Sequence, residues 1–238
     1  MKNLHIITPV KDSIDFTLET VKSVLASKLD VPHTYTLYND FSTPENTRRL
    51  QDASRTMGFQ LVNLSDLTQH PSPNYLLVLQ RERRMCLEED AGLLIVESDV
   101  TVRPNTFQGL WREAQKRNDA GILASVTVDE TGEINYPYLY AKAHENQVLD
   151  TRRHCSFCCS LLTTELLQRV DFDALNQGKD WFDVTISHRS LQEGLHNYLF
   201  TTLPVTHRPH GSRPWKQLKY KNPLKYYWVK FTKGFDKI

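Results

Sequence analysis

Short runs rich in Val, Ile and Leu alternate along the chain with segments whose apolar residues recur at helical spacing. That alternation is how a mostly parallel sheet covered by helices reads in sequence, because strands buried on both faces are apolar throughout. The first run, Leu4 to Val10, precedes a segment in which Ile14, Leu18, Val21 and Leu25 fall at spacings of four, three and four, one face of a helix. Thr34 to Tyr38 reads as a second strand. A helix around Leu50, Ala53 and Met57 follows, with Gly58 placed to end it.

Gln60 to Leu64 is a further strand, and the stretch with Pro71 and Pro73 is a loop before a helix from about Tyr75 to Glu89. Gly92 to Val96 is a wholly apolar strand, and Pro104 with Asn105 opens a helix carrying Phe107, Leu110, Trp111 and Ala114 on one side. Gly121 to Val128 returns as a strand, whereas Asp129 to Asp150 has turn signals and mixed residues and reads as an irregular or hairpin segment. The remaining pattern predicts a strand over Ser156 to Leu162 and a short helix over Thr163 to Val170. A longer helix over Trp181 to Glu193, closed by Gly194, and a last strand over Tyr198 to Val205 complete it. The fold class is α/β, a mostly parallel sheet with helices on both faces.

In such a sheet ligands bind beyond the carboxyl ends of the strands. Three polar stretches stand there: Lys11-Asp12, Asn39-Asp40-Phe41-Ser42 and Glu97-Ser98-Asp99. Two carboxylates one residue apart at the end of an apolar strand suit a hard divalent cation, Mn²⁺ or Mg²⁺, that also takes phosphate oxygen; an acid-rich loop is the plainer reading. Asp180 and Asp183 open the Trp181 helix. Each is either an ordinary first-turn acid favoured by the helix dipole or a general base.

In order along the chain, ITPVKDSIDFTLETVKSVLAS, YNDFSTPENT, LLIVESDVTVRPNTF and FDVTISHRSLQEG resemble the successive motifs of glycosyltransferase family 2, the inverting nucleotide-sugar transferases with the Rossmann-like GT-A fold. Four motifs in the right order between residues 4 and 194 are more specific than any one of them. The resemblance implies that Asp40 contacts the nucleotide base or ribose, with Pro9, Asp12, Asn39 and Ser98 beside it in the donor site. It makes Asp99 the main metal ligand with Glu97 assisting, and Asp183 the catalytic base with Asp180 as its rival. PVTHRPHGSRPW resembles the family segment whose His closes over the diphosphate, which adds His207 or His210 to the metal site and Arg208 or Arg213 to the phosphate. Asn39 and Glu97 each stand where the family has Asp, and Phe182 and Thr185 replace two further acids. Arg84, in the group Arg81, Arg83 and Arg84, is either part of a solvated face or a phosphate contact.

Composition adds an organisation. Net charge is +1, but Arg213, Lys216, Lys219, Lys221, Lys225, Lys230, Lys233 and Lys237 are offset in that stretch only by Asp236. A transferase domain over 1–212 with a basic, aromatic tail over 213–238 is therefore expected. Trp215, Tyr220, Tyr226, Tyr227, Trp228, Phe231 and Phe235 interleave with these bases. That mixture suits either the headgroup layer of an anionic membrane, beside a lipid-linked or other glycan acceptor, or a packed extension of the core. No apolar run reaches the roughly 18 to 20 residues of a membrane span, and MKNLHIITPV does not read as a secretory signal, so a cytoplasmic location, at the inner face of the membrane if the tail binds there, is expected. The acidic body and the lack of a binding module argue against nucleic acid. Cys155, Cys158 and Cys159, with His154, are expected to belong to a buried strand and not to a zinc site, since adjacent strand residues point to opposite faces. Two alternatives to a transferase are a scaffold that keeps the fold without catalysis and a nucleotidyltransferase, for which ITPVKDS lacks the glycine-rich loop.

Overall fold

The computed structural model describes residues 1–176, 178, 181–208 and 222–233. Its first half runs β1 (Asn3–Val10), α1 (Ile14–Leu25), β2 (His33–Asn39), α2 (Pro44–Met57), β3 (Gln60–Asn63), α3 (Tyr75–Glu89), β4 (Ala91–Val96), β5 (Val100–Thr101) and α4 (Thr106–Lys116). The second half runs β6 (Ala120–Val128), β7 (Val148–Asp150), β8 (Cys159–Leu162), α5 (Thr164–Arg169), α6 (Phe182–Gln192), β9 (His196–His207) and α7 (Pro223–Lys233). Among the described residues these strands form one nine-stranded sheet in the order β3-β2-β1-β4-β8-β6-β9-β5, with β7 also on β9. The four strands β3, β2, β1 and β4 are mutually parallel, β8 enters antiparallel between β4 and β6, and β6 pairs parallel with β9.

The apolar runs are continuous because successive residues feed two cores. On β1, Leu4, Ile6 and Val10 join the cluster that includes Val21, Leu50, Phe107 and Leu110 from α1, α2 and α4. Ile7 faces the opposite cluster, with Leu79 and Cys86 of α3 and Leu166 of α5. On β4, Leu94 and Val96 go to the first cluster, Leu93 and Ile95 to the second. Every side chain of β4 is buried, which is what a central strand between two helical layers requires.

Local chemistry fixes the helix ends. Thr43 caps α2 by accepting from the Asn46 amide, Pro44 occupies the first turn, and Gly58 ends the helix at φ 83°, a left-handed position that glycine adopts without strain. The buried face of α1 differs from the expected one. Ile14, Thr17, Thr20, Val21 and Val24 are inside, while Leu25 is exposed. Thr17 can be buried because its hydroxyl donates to the Ser13 carbonyl at 3.0 Å.

One further expectation is corrected, one is borne out in detail, and one short strand carries no sequence signal. The strand expected from Ser156 begins only at Cys159, because Phe157 and Cys158 form a turn whose Cys158 carbonyl accepts the Glu97 amide at 3.0 Å. The segment from Asp129 is a tight turn, closed by Asp129 accepting the Thr131 and Glu133 amides, then a short 3₁₀ helix and β7. The two-residue β5 pairs with the end of β9, Val100 opposite His207, and is too short for any periodicity to reveal.

Within the core between β1 and α3 lies a polar cluster. His5 Nδ1 bonds Glu82 at 2.9 Å and Nε2 bonds Glu89 at 3.1 Å, while the Tyr38 hydroxyl donates to the other Glu82 oxygen. Hydrogen bonds to Cys86 and Glu82 outweigh burial and push the His5 imidazole up to about 11. The ring is a buried imidazolium between carboxylates, and its charge is paired as a low-dielectric interior demands.

No helix among the described residues is long and apolar enough to cross a membrane. On α7, Tyr226 is buried, whereas Leu224, Tyr227 and Trp228 are exposed. The expected domain boundary at 212 and most of the basic tail lie outside the described residues.

Candidate active site

The carboxyl ends of β1, β2 and β4 open into one region. Pro9, Val10 and Lys11 from the end of β1, Asp40 after β2, Leu64, and Tyr75 and Val78 from the start of α3 line a cleft of about 120 Å³. Its floor is shaped by Asp40, buried to 9% exposure. One Asp40 oxygen accepts the Ser72 hydroxyl at 2.7 Å and the Asn74 amide at 2.9 Å; the other accepts the Asn74 side chain at 2.8 Å. Each carboxylate oxygen has two lone pairs, so this second oxygen retains one for an incoming N–H or O–H.

The two loops at this edge are strained and cross-linked. Asp12, Ser13 and Phe41 have φ of 54°, 48° and 56°, the left-handed region that side chains adopt at a cost of about 1 kcal/mol or more. Asp12 secures them: its carboxylate accepts the Thr43 amide at 2.9 Å and the Asn46 side chain at 3.0 Å, and its own amide donates to Ser42 Oγ at 2.8 Å. The Thr43 and Asn46 hydrogen bonds hold the Asp12 carboxyl below its ordinary range. Asn39 is likewise engaged within the protein, donating to Thr47 and Asn63 and accepting the Ser42 amide. Asp12 and Asn39 therefore brace this edge of the cleft from behind. Lys11 Nζ donates to the Phe41 carbonyl at 3.2 Å and presents a cation at the cleft wall.

Beyond the cleft the acids gather. β4 carries Glu97 out of the sheet, Ser98 and Asp99 form a turn, and the β5–β9 pairing brings His207 across from it. His207 Nε2 lies 3.6 Å from Asp99 Oδ2, both side chains being nearly inaccessible. The opposite nitrogen, Nδ1, donates to the Tyr136 carbonyl at 3.0 Å, and the Asn135 side chain donates to the His207 carbonyl at 2.9 Å. A carbonyl holding Nδ1–H orients Nε2 as a metal ligand would be oriented. Cys158, from the turn before β8, places its thiol 3.2 Å from Glu97 Oε2. Donor atoms of Glu97, Cys158 and His207 lie within 4.8 Å of one another.

The electrostatics are those of a site short of positive charge. Burial first, then the neighbouring Asp99 charge, push the Glu97 carboxyl upward. Burial opposes charge on His207, but the Asp99 contact outweighs it and raises the imidazole. Asp183, in the first turn of α6, accepts the Val184 amide at 2.9 Å. Its negative charge adds to the upward push on the Glu97, Tyr75 and Cys155 groups. Tyr75 joins the two halves: it lines the cleft, packs edge-on against Phe182 at 5.9 Å, and its buried hydroxyl has no hydrogen-bond partner among the described residues. Two carboxylates, an oriented imidazole and a thiol form a donor set that fits a divalent cation.

Several expected residues are elsewhere. Arg84 is nine residues along α3 from Tyr75, about 13 Å at helical rise, and pairs with Asp173 at 3.9 Å on an exposed face, the first of its two expected readings. Its neighbour Arg83 bonds the Leu167 carbonyl and Asp171. Arg208 pairs with Glu19 and with Glu130. Asp180, His210 and Arg213 lie outside the described residues. What the sequence missed is Cys158, set aside as a strand residue, and Tyr75, which an apolar helix pattern absorbs.

The fold is that of the GT-A glycosyltransferases. Among solved structures, a mannosyltransferase of Pyrobaculum calidifontis in complex with GDP-mannose and Mn²⁺ aligns with a TM-score of 0.63 at 11% identity, covering 96% of this chain and 64% of that one. Residues 1-349 of TarS of S. aureus align at 0.60 and 15% identity over 86% of this chain and 60% of theirs. GalNAc-T7 with UDP, GalNAc and Mn²⁺ aligns at 0.62 and 11% over 87% and 44%. The chain thus spans about half to two thirds of the length of these neighbours. No protein-family model matches the chain, and no curated protein matches its sequence.

Proposed function

We propose that this protein transfers a glycosyl group from a nucleoside-diphosphate sugar to an acceptor hydroxyl, with inversion and with the help of a divalent cation, Mn²⁺ or Mg²⁺. The observation that carries the proposal is the meeting of Glu97, Asp99 and His207 just beyond the carboxyl end of β4, on the same sheet edge as the cleft lined by the ends of β1 and β2. The likeness to transferases whose structures hold GDP-mannose or UDP with Mn²⁺ supports it.

The nucleoside would lie in the cleft over Pro9 and Tyr75, with the spare lone pair of Asp40 accepting from base or ribose. Asp99, Glu97 and His207 would hold the cation, which when bound supplies Lewis-acid stabilisation of the diphosphate. The unpartnered Tyr75 hydroxyl offers a donor that a bound oxygen would satisfy, relieving an unmade bond of about 1–3 kcal/mol. Asp183 takes the acceptor proton as the acceptor oxygen bonds the anomeric carbon from the face opposite the diphosphate, whose glycosidic bond breaks with its electron pair. Asp180, His210 and Arg213 remain candidates for a rival base and for closure over the phosphates. A glycan or lipid-linked acceptor, met at a membrane surface through the basic aromatic tail, is the acceptor class this reading favours.

Gathered carboxylates raise one another's energy, so their presence together favours a site that uses them over a scaffold that does not. Asp183→Asn tests the assignment: transfer should fall about 10²–10⁴-fold, the range for a general base, while donor affinity measured by calorimetry stays within about twofold. Full activity in the variant would remove Asp183 from the mechanism.

A further inference from the structure

We infer that Cys158 is a further ligand of the site's cation, as its thiolate, which removes Mg²⁺ from the two ions proposed above and favours borderline, thiophilic ions such as Co²⁺ or Zn²⁺. The inference rests on the reading of Glu97, Asp99 and His207 as the metal site. A tetrahedral ion with bonds of about 2.0–2.1 Å to N or O and about 2.3 Å to S separates neighbouring donors by about 3.3–3.6 Å. The Cys158 thiol and Glu97 are 3.2 Å apart, and His207 Nε2 and Asp99 Oδ2 are 3.6 Å apart. Each pair is thus within about 0.4 Å of the edge its own atoms would span around such an ion, about 3.6 Å for S and O and about 3.3 Å for N and O. Glu97, Cys158 and His207 meet within 4.8 Å.

The backbone commits Cys158 to this position. The turn at Phe157–Cys158 precedes β8, and the Glu97 amide donates to the Cys158 carbonyl, so main chain and side chain of the two residues meet together. The thiol hydrogen points at Glu97, and Ser156 Oγ lies 3.2 Å from the sulfur. On metal binding the S–H proton leaves to solvent and the sulfur lone pair goes to the ion, with no change of oxidation state. A thiolate is a poor ligand for Mg²⁺, which demands oxygen, and a good one for Co²⁺ and Zn²⁺.

Titration of the intact protein with Co²⁺ alone tests this through the near-ultraviolet thiolate-to-cobalt charge-transfer band. The band is expected in the wild type and in Cys86→Ser, and lost in both Cys158→Ser and Cys158→Ala. Zn²⁺ at one equivalent should abolish it, and Mg²⁺ in hundredfold excess should not. Absence of the band in the wild type, its survival in either Cys158 variant, or displacement by Mg²⁺ would overturn the assignment. Loss in Cys86→Ser instead would move the metal to the cluster of His5, Glu82 and Cys86 and equally overturn it. The Mg²⁺ competition uses the wild type and stands even where a variant fails to fold. An intact band with no nucleotide release from any sugar donor would refute the glycosyl-transfer reading and leave the ligand assignment in place.

Discussion

Glu82→Gln removes the charge that neutralises a buried imidazolium while keeping the side-chain shape. Glu82 is 1% exposed, bonds His5 at 2.9 Å and accepts from Tyr38. Removing one partner of a buried ion pair costs about 3–5 kcal/mol, and Glu89, still 3.1 Å from the other ring nitrogen, places the loss in the lower half of that range. With about 2.1 cal/mol/K of unfolding entropy per residue, a chain of 238 residues has roughly 0.5 kcal/mol/K, so Tm should fall by about 6–8 °C. The pH dependence has a definite sign. His5 is raised from 6.5 to about 11, so its contribution is fully present below pH 6.5 and is lost as pH rises through 11. Differential scanning calorimetry of both proteins should therefore show the full Tm gap at pH 6 and a shrinking gap above it. A fall of less than about 2 °C at pH 6, or a gap that widens with pH, would refute the pairing.

Tyr75→Phe should separate binding from stability: the free protein keeps or gains up to about 1 kcal/mol on losing an unsatisfied hydroxyl, while donor affinity drops about fivefold or more, as thermal melts and calorimetry would show. Asp40→Ala removes charge-assisted bonds to Ser72 and Asn74, each of about 1.5–3 kcal/mol, and should both lower Tm and abolish measurable nucleotide binding. Asp12, whose carboxyl is held low, contributes stability above its ordinary range that is lost as pH falls through its folded value; Asp12→Asn should therefore flatten the acid limb of the Tm profile and leave the neutral region within a few degrees.

Much of this architecture was legible because its signals are local. The apolar run of β4 ends at Glu97 for the same reason that every β4 residue is buried, and Asp99 could be singled out from that boundary alone. The Thr43-Pro44 start and Gly58 stop of α2 are written in residue chemistry. Other parts depend on contacts far apart in sequence. Asp40 was marked as a ligand contact, yet its grip on Ser72 and Asn74 requires a loop some thirty residues on to fold back over it. Cys158 looked like one position of a strand; only the turn before β8 and its bond to Glu97 redirect it. Arg84 stayed open between a solvated face and a phosphate contact because spacing cannot say how far along a helix a ligand lies. His207 was legible as a residue, but the Asn135 and Tyr136 contacts that orient it come from the segment with the weakest pattern.

The most direct test of glycosyl transfer is a nucleotide-release screen with UDP-, GDP- and dTDP-sugars, each with and without added divalent metal, on the wild type and Asp99→Ala. Metal-stimulated release from at least one donor, reduced about a hundredfold or more in Asp99→Ala, is the predicted result. Release from none of them, with no donor binding by calorimetry, would contradict it.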